Sequence, residues 1–237
     1  MSVKIITGAI GSGKTKYCID EISSVHLKNP KSRCIMIVPP HYSHETERML
    51  INTFGGTGLN NIECTTFEKL ARELLTNSPK RLGASGKNVL VCRAIKETLA
   101  EIENGDTEFD RKLIRAVSKS GFVDVASSLL NEFHRYSINN NILDEQAQNQ
   151  KNPLLSQKLK IMSLILGKYE NLSEKIDYVD ADDDLTRLGA VIGNYFNDDD
   201  NVWIDKFDEF LPQQFEVLRP IFDSNANVTI TFSVCPN

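Results

Sequence analysis

Two hydrophobic rhythms alternate along the chain. Val3-Lys-Ile-Ile6 reads as a short strand, and Cys34-Ile-Met-Ile-Val38 is a continuous apolar run, the pattern of a strand covered on both faces. Between them Cys18, Ile19, Ile22 and Val25 share one face of a helix, at spacing i, i+1, i+4, i+7. Asn29-Pro30 ends that helix and Pro39-Pro40 stops the second strand. Residues 43–53 are expected to be helical, with Ser43 as candidate N-cap and Glu45 to Glu47 in an acidic first turn; Gly55-Gly56 breaks the segment. Residues 61–65 form a third short strand. Thr66 then caps a helix over 67–75 that turns Leu70, Ala71 and Leu74 inward.

From about residue 85 to 196 strand signals almost vanish and the 3.6-residue period dominates. Val89, Cys92, Ile95 and Leu99 mark one helix; Val123, Ala126, Leu129, Leu130 and Phe133 mark a second. Leu154, Leu155, Leu159, Met162, Ile165, Leu166 and Tyr169 mark a longer third. The stretch predicts a module of roughly four to six helices. Strand patterning then returns at 201–205 and 228–234, with Pro212 at the first position of a helix reaching Phe222. The expected class is α/β: residues 1–80 and 197–237 form one split domain, with 81–196 inserted as an all-helical block. No internal repeat or low-complexity tract interrupts this reading.

Composition narrows the class. The 237 residues are 41% hydrophobic with a net charge of -5 and a mean hydropathy of -0.28, values of an ordinary soluble globular protein rather than a disordered chain. No apolar run approaches the ~20 residues of a membrane helix, and a glycine-rich loop cuts the first apolar stretch short by Gly8, unlike a signal peptide. The five cysteines include no CxxC, so neither a disulfide framework nor a structural zinc site is expected; reduced thiols in a cytoplasmic protein are. The net charge hides a gradient. Residues 1–80 carry 10 basic and 7 acidic groups, whereas 181–237 carry 3 and 11. Overall acidity therefore does not exclude a nucleic-acid partner, because a local basic surface decides phosphate binding.

Gly8-Ala-Ile-Gly11-Ser12-Gly13-Lys14-Thr15 fits the pattern G-x-x-x-x-G-K-[ST] completely, with a strand before it and an amphipathic helix after it. Its glycines let backbone N–H groups turn inward as an anion nest at a helix N-terminus. Lys14 is the candidate β- and γ-phosphate ligand of ATP, and the Thr15 hydroxyl a candidate Mg2+ ligand. Asp205, at the end of an apolar strand, is the candidate second carboxylate of the magnesium shell. Hydrolytic P-loop motors place a glutamate directly after that aspartate. Here Lys206 follows, with Asp208 and Glu209 beyond it. Loss of a base costs ~10²–10⁴ in rate, so the site reads as binding ATP without efficient hydrolysis.

Ile37-Val38-Pro39, Thr66-Phe67-Glu68-Lys69-Leu70-Ala71, Gly121-Phe122, Trp203-Ile204-Asp205-Lys206-Phe207 and Phe210-Leu211-Pro212-Gln213-Gln214-Phe215 occur in this order after the strand and loop. In their order and spacing, over essentially the whole chain, they resemble the N-terminal region of AddB (RexB), the B subunit of the bacterial AddAB helicase–nuclease. The resemblance implies a RecA-like sheet, domain 1A of superfamily-one helicases, with an inserted helical subdomain 1B. It implies a role in double-strand-break repair and homologous recombination beside the AddA motor, following single-stranded DNA and recognising Chi without being a motor itself. It also implies that the second RecA-like domain, the nuclease and the cysteine-ligated iron–sulfur cluster lie beyond Asn237, so the chain is expected to be a fragment with neither nuclease nor helicase activity. The family usually has glycine where Lys206 stands, glutamine near Pro40 and arginine near Lys69. The second departure puts a polar contact in doubt; the third keeps the charge but not bidentate geometry.

In helicase-like sheets DNA crosses the loops after the strands, here 39–43, 65–69 and 207–210. Ser43, Thr66, Lys69 and Arg72 are candidate phosphate contacts, and Phe67, Phe207 and Phe210 are candidate stacking rings. Core packing for the three rings and helix capping for Thr66 are the competing readings. His41 and His44 beside Glu45 read as solvated loop residues rather than metal ligands. Asp180–Asp184 and Asp198–Asp200 lack the EF-hand glycine and terminal glutamate, and read as a helix start and a turn. Two alternatives remain: a small-molecule kinase with Arg111, Arg115 and Arg135 as lid cations, and a structural domain with a vestigial loop.

Overall fold

The computed structural model describes residues 2–55, 60–76, 80–105, 109–176, 178–180 and 184–234. Gly56, residues 181–183 of the acidic run and Cys235 lie outside them. The chain divides into two compact units, 1–76 with 184–237, and 77–183.

The first unit is a five-stranded parallel sheet. Its strands are β1 (Ser2–Gly8), β2 (Cys34–Ile37), β3 (Ile62–Thr65), β6 (Asn201–Ile204) and β7 (Asn227–Ser233), in spatial order β1-β7-β6-β2-β3. The remaining strands, β4 (Lys80–Leu82) and β5 (Tyr178–Asp180), form a separate parallel pair. Alternation along the central strands sorts side chains to two cores. Ile35, Ile37, Val202, Ile204, Val228 and Ile230 face one way, against α3 (Phe67–Leu74), α9 (Asp184–Ile192) and α10 (Pro212–Asp223). Cys34, Met36, Val38 and Trp203 face the other, with Cys18, Ile19 and Ile22 of α1 (Lys14–Lys28) and Leu50 of α2 (Ser43–Phe54). Burial on both faces is why β2 and β6 read as apolar runs.

α9 lies in the stretch that sequence periodicity assigns to the helical block, but it packs against α3 and α10. Gly189 allows this approach: a Cβ there would stand 2.8 Å from the Glu216 carbonyl oxygen of α10. Pro220, four residues after Glu216, has no N–H to offer that carbonyl.

The second unit contains α4 (Ala84–Asn104), α5 (Arg111–Val117), α6 (Phe122–Arg135), α7 (Asn140–Asn149) and α8 (Pro153–Lys175) around a core of Val91, Ala94, Leu130, Ile165, Leu166 and Tyr169. Asp110, Asn139 and Asn152 cap α5, α7 and α8 through their side-chain oxygens. The short β4–β5 pair is an addition to the helical reading, since three-residue strands leave no period-2 trace. Among the described residues no helix is long and apolar enough to cross a membrane.

Ser43 is not the N-cap of α2. Pro39 and Pro40 set a 3₁₀ turn over Pro40–Tyr42 that runs into the helix, so Tyr42 occupies the cap and Ser43 is already helical. Thr66 does cap α3, accepting the Lys69 N–H at 3.1 Å.

One carboxylate ties the loop-bearing helix to three strands. Glu21 of α1 accepts from Lys4 Nζ of β1 at 2.9 Å, from Trp203 Nε1 of β6 at 2.8 Å and from Thr229 Oγ1 of β7 at 3.2 Å. Burial works against its charge. The hydrogen bonds from Lys4 and Trp203, the Lys4 charge and the Thr229 hydroxyl outweigh that cost, so Glu21 titrates below its ordinary value. Its contribution is therefore present above the unfolded-state pKa and lost as pH falls through the lower folded value. At pH 7 Glu21→Gln is expected to unfold more easily in urea than wild type by roughly 1–3 kcal/mol, and the two stabilities should converge as the solution is acidified below the ordinary carboxylate range.

Candidate functional site

The phosphate-loop residues lie between β1 and α1. Gly11 and Gly13 have φ of 79° and 90°, left-handed values that disfavour a Cβ. Ser12 N–H donates to the Ala9 carbonyl at 3.1 Å, Gly13 precedes the first turn of α1, and Thr15 lies within that turn. Lys14 Nζ donates to the carbonyls of Gly8 at 3.0 Å and Ala9 at 2.8 Å, so the lysine is held against its own loop. Gly8 closes the arrangement from behind, its carbonyl also accepting Val234 N–H at 3.1 Å.

Asp205 follows β6 directly. Its N–H donates to the Ile37 carbonyl at 3.0 Å, which continues the β2–β6 ladder by one residue. Two residues after Trp203, it lies on the sheet face that carries α1. Its carboxylate is 1% exposed; Oδ1 accepts the Thr231 hydroxyl at 2.5 Å, and Oδ2 has no hydrogen-bond partner. An aspartate oxygen this deeply buried without a donor is costly. The Asp205 charge reaches α1: burial first, and this charge next, push the Cys18 thiol up to about 12. The unpaired oxygen, the Thr15 hydroxyl and the loop glycines fit a magnesium–nucleotide pair. Among the described residues no group of three or more His, Cys, Asp or Glu forms a protein-only metal site.

The loops after β2, β3 and β6 meet in a cleft of about 350 Å³, lined by Val38–His41, Phe67, Glu68, Lys206–Glu209, Leu211 and Gln214. Phe67 and Phe207 form its floor as core residues, 2% and 6% exposed, with ring centroids 5.4 Å apart. Phe210, half-buried, stacks on Phe207 at 4.7 Å and reaches Phe215 and Phe232 at 5.9 Å each. The core reading thus describes Phe67 and Phe207, whose ring faces are taken.

Ser43 and Lys69 belong to a neighbouring polar cluster. Lys69 Nζ donates to Ser43 Oγ at 3.1 Å and Glu47 Oε1 at 2.9 Å, and Ser43 Oγ reaches Glu47 at 3.2 Å. The Lys69 hydrogen bond, against some burial and helped by the Lys69 charge and Ser43, holds Glu47 below its usual range. Arg72 is exposed on α3, its Nε donating to the Glu68 carbonyl at 3.3 Å. His41 is exposed against the Tyr42 ring, and His44 is 3.8 Å from Glu47 Oε2. Cys18 and Cys34 are buried free thiols, while Cys64 and Cys92 are free and half-buried.

Lys206 has a role that sequence reading missed. Its φ is 66°, in the left-handed region that a Cβ disfavours. This turn carries the side chain away from Asp205, to Glu45 Oε1 at 3.2 Å and over the Tyr42 ring at 4.8 Å. Asp205 and Lys206 therefore serve different sites. The glycine that the family usually has at this position is the signal that could have found the left-handed turn.

A family described as ADDB, N-terminal, matches residues 5–237. The chain is similar to the B subunit of the ATP-dependent helicase/deoxyribonuclease of Clostridium novyi (strain NT), 30% identical over 236 residues, covering 98% of this chain and 20% of that protein. The proteins of the same name from Clostridium perfringens (strain ATCC 13124) and Clostridium tetani (strain Massachusetts / E88) are 28% and 29% identical, over 99% and 98% of this chain. The chain spans about 20% of the length of these curated relatives.

The left-handed backbone at position 206 yields a stability test. Lys206→Ala keeps the strained Cβ and loses the Glu45 and Tyr42 contacts, whereas Lys206→Gly loses the same contacts and relieves the strain. Lys206→Gly should be the more stable of the two by ~1 kcal/mol in urea unfolding.

Proposed function

The chain belongs to the family of AddB N-terminal regions, and on that premise we propose that it is the nucleotide-binding and DNA-following part of the B subunit of an ATP-dependent helicase/deoxyribonuclease. In this reading it binds ATP with Mg2+, holds single-stranded DNA at the strand ends, contributes to Chi recognition in double-strand-break repair, and works in the cytoplasm beside an AddA motor. The sheet is of the RecA-like 1A type, with 77–183 as its 1B-like insertion. The parallel order, with β7 between the loop-bearing β1 and the strand leading to Asp205, supports this.

The observation that carries the reading is the buried Asp205 oxygen without a donor, on the sheet face of the helix that follows the phosphate loop. Magnesium, when bound with ATP, supplies charge neutralisation at the phosphates. The chain's own residues do the rest. Gly11 and Gly13 admit the loop conformation, Lys14 exchanges its two carbonyl partners for phosphate oxygens, and Thr15 and Asp205 offer oxygens to the cation. The residue after Asp205 is a lysine engaged with Glu45, so no carboxylate occupies that position to orient an attacking water. Binding without efficient turnover follows.

Calorimetry should detect Mg–ATP binding that Lys14→Ala weakens about 10–100-fold, the worth of a charge-assisted hydrogen bond. Phosphate release by the wild-type chain should stay near background. Robust hydrolysis would overturn the binding-only assignment, and absence of any nucleotide binding would favour a vestigial loop.

A further inference from the structure

We infer that Lys206 is the residue through which the cleft at the strand ends holds a backbone phosphate of single-stranded nucleic acid, an assignment that rests on the DNA-binding reading above. The cleft wall is poor in cations. Lys206 is the single lysine or arginine among its lining residues, which also include the acidic Glu68, Asp208 and Glu209. A polyanion entering there is repelled by the three carboxylates and attracted by this ammonium. The two other candidate cations do not line the cleft: Lys69 is held by Ser43 and Glu47, and Arg72 lies exposed on α3.

The Lys206 side chain is fixed for the task. It is 13% exposed, and its backbone adopts a left-handed turn that resists any residue with a Cβ. Strain of this kind persists where the surroundings over-determine it, and it concentrates at binding sites. The partner it would give up is inexpensive to release. The Glu45 side chain is 58% exposed, so exchanging it for a phosphate returns a carboxylate to water rather than stranding one in the interior. The Tyr42 ring, 4.8 Å from Nζ, stays in place under the ammonium during the exchange. With the phosphate set at Lys206, the bases turn toward the proline and aromatic side of the cleft.

Two roles for Lys206 make opposite demands on Glu45. If the lysine binds phosphate, Glu45 is its competitor; if it only clamps the turn before α2, Glu45 is its necessary partner. The test is fluorescence anisotropy of the 237-residue protein with an oligothymidine of about 15 nucleotides, titrated across roughly 50–200 mM salt. Lys206→Met should weaken binding several-fold and reduce the magnitude of the salt slope by about 0.7, the value of one single-strand phosphate contact. Lys206→Arg should keep the slope. Glu45→Gln should tighten binding. Lys206→Gly, which the left-handed backbone accepts, should match Lys206→Met and so separates loss of charge from misfolding. The assignment is overturned if Lys206→Gly leaves the slope unchanged, or if Glu45→Gln weakens binding as much as Lys206→Met does. Failure of the wild-type chain to bind the oligonucleotide at low salt would instead remove the DNA-binding reading itself, and this assignment with it.

Discussion

The Glu21 carboxylate is the interaction on which the geometry of the glycine-rich loop region depends. A helix lying across a parallel sheet can slide along the strands with little change in apolar contact, because hydrophobic burial is non-directional. Hydrogen bonds to three different strands remove that freedom. Lys4, Trp203 and Thr229 sit on β1, β6 and β7, and each delivers a donor to one side chain of α1. The phosphate loop is covalently continuous with both β1 and α1, so fixing the helix fixes the loop. Trp203 lies two residues before Asp205 and Thr229 two before Thr231, so the same anchoring extends to the buried carboxylate and its hydroxyl donor.

Two adjacent residues then divide the strand end between two tasks. Asp205 continues the β6 ladder and turns to the face of α1. The left-handed turn at Lys206 breaks that ladder and sends the next side chain to the cleft. An ordinary extended residue at 206 would alternate to the opposite sheet face, into the core already filled by Ile204, Phe207 and Val217. Burying a lysine there is far more expensive than a strained dihedral. The positive φ is the cheaper solution, and it leaves the ammonium with Glu45 and the Tyr42 ring.

The central strands β2 and β6 were legible in the sequence because they are buried on both faces, and doubly buried strands leave apolar runs that turn residues punctuate. The tight loop between β1 and α1 was legible because left-handed backbone favours glycine, as at Gly11 and Gly13. Errors arose where tertiary contacts override local rules. Ser43 has the chemistry of an N-cap, yet two prolines start a 3₁₀ turn ahead of it, and Lys69 and Glu47 take up its hydroxyl. Residues 184–192 have the same period as the helices before them. Only the approach permitted by Gly189 reveals that they pack with α3 and α10. The loops that line the cleft were named together only through the family resemblance, since no local pattern links segments separated by up to about 170 positions in the chain.

The aromatic residues show why a residue list is a weaker guide to recognition than a burial gradient. Phe67, Phe207, Phe210 and Phe215 form a connected series of rings, from fully buried at Phe67 to 55% exposed at Phe215. The inner two, 2% and 6% exposed, form the floor on which the outer rings rest. Stacking tolerates any base, and a rigid apolar surface alone would bind without orientation. In the proposed reading the carboxylates of Glu68, Asp208 and Glu209 supply that constraint by repelling the phosphate backbone. Under the proposed DNA-binding reading, one ammonium among three carboxylates favours a strand that enters with its bases inward.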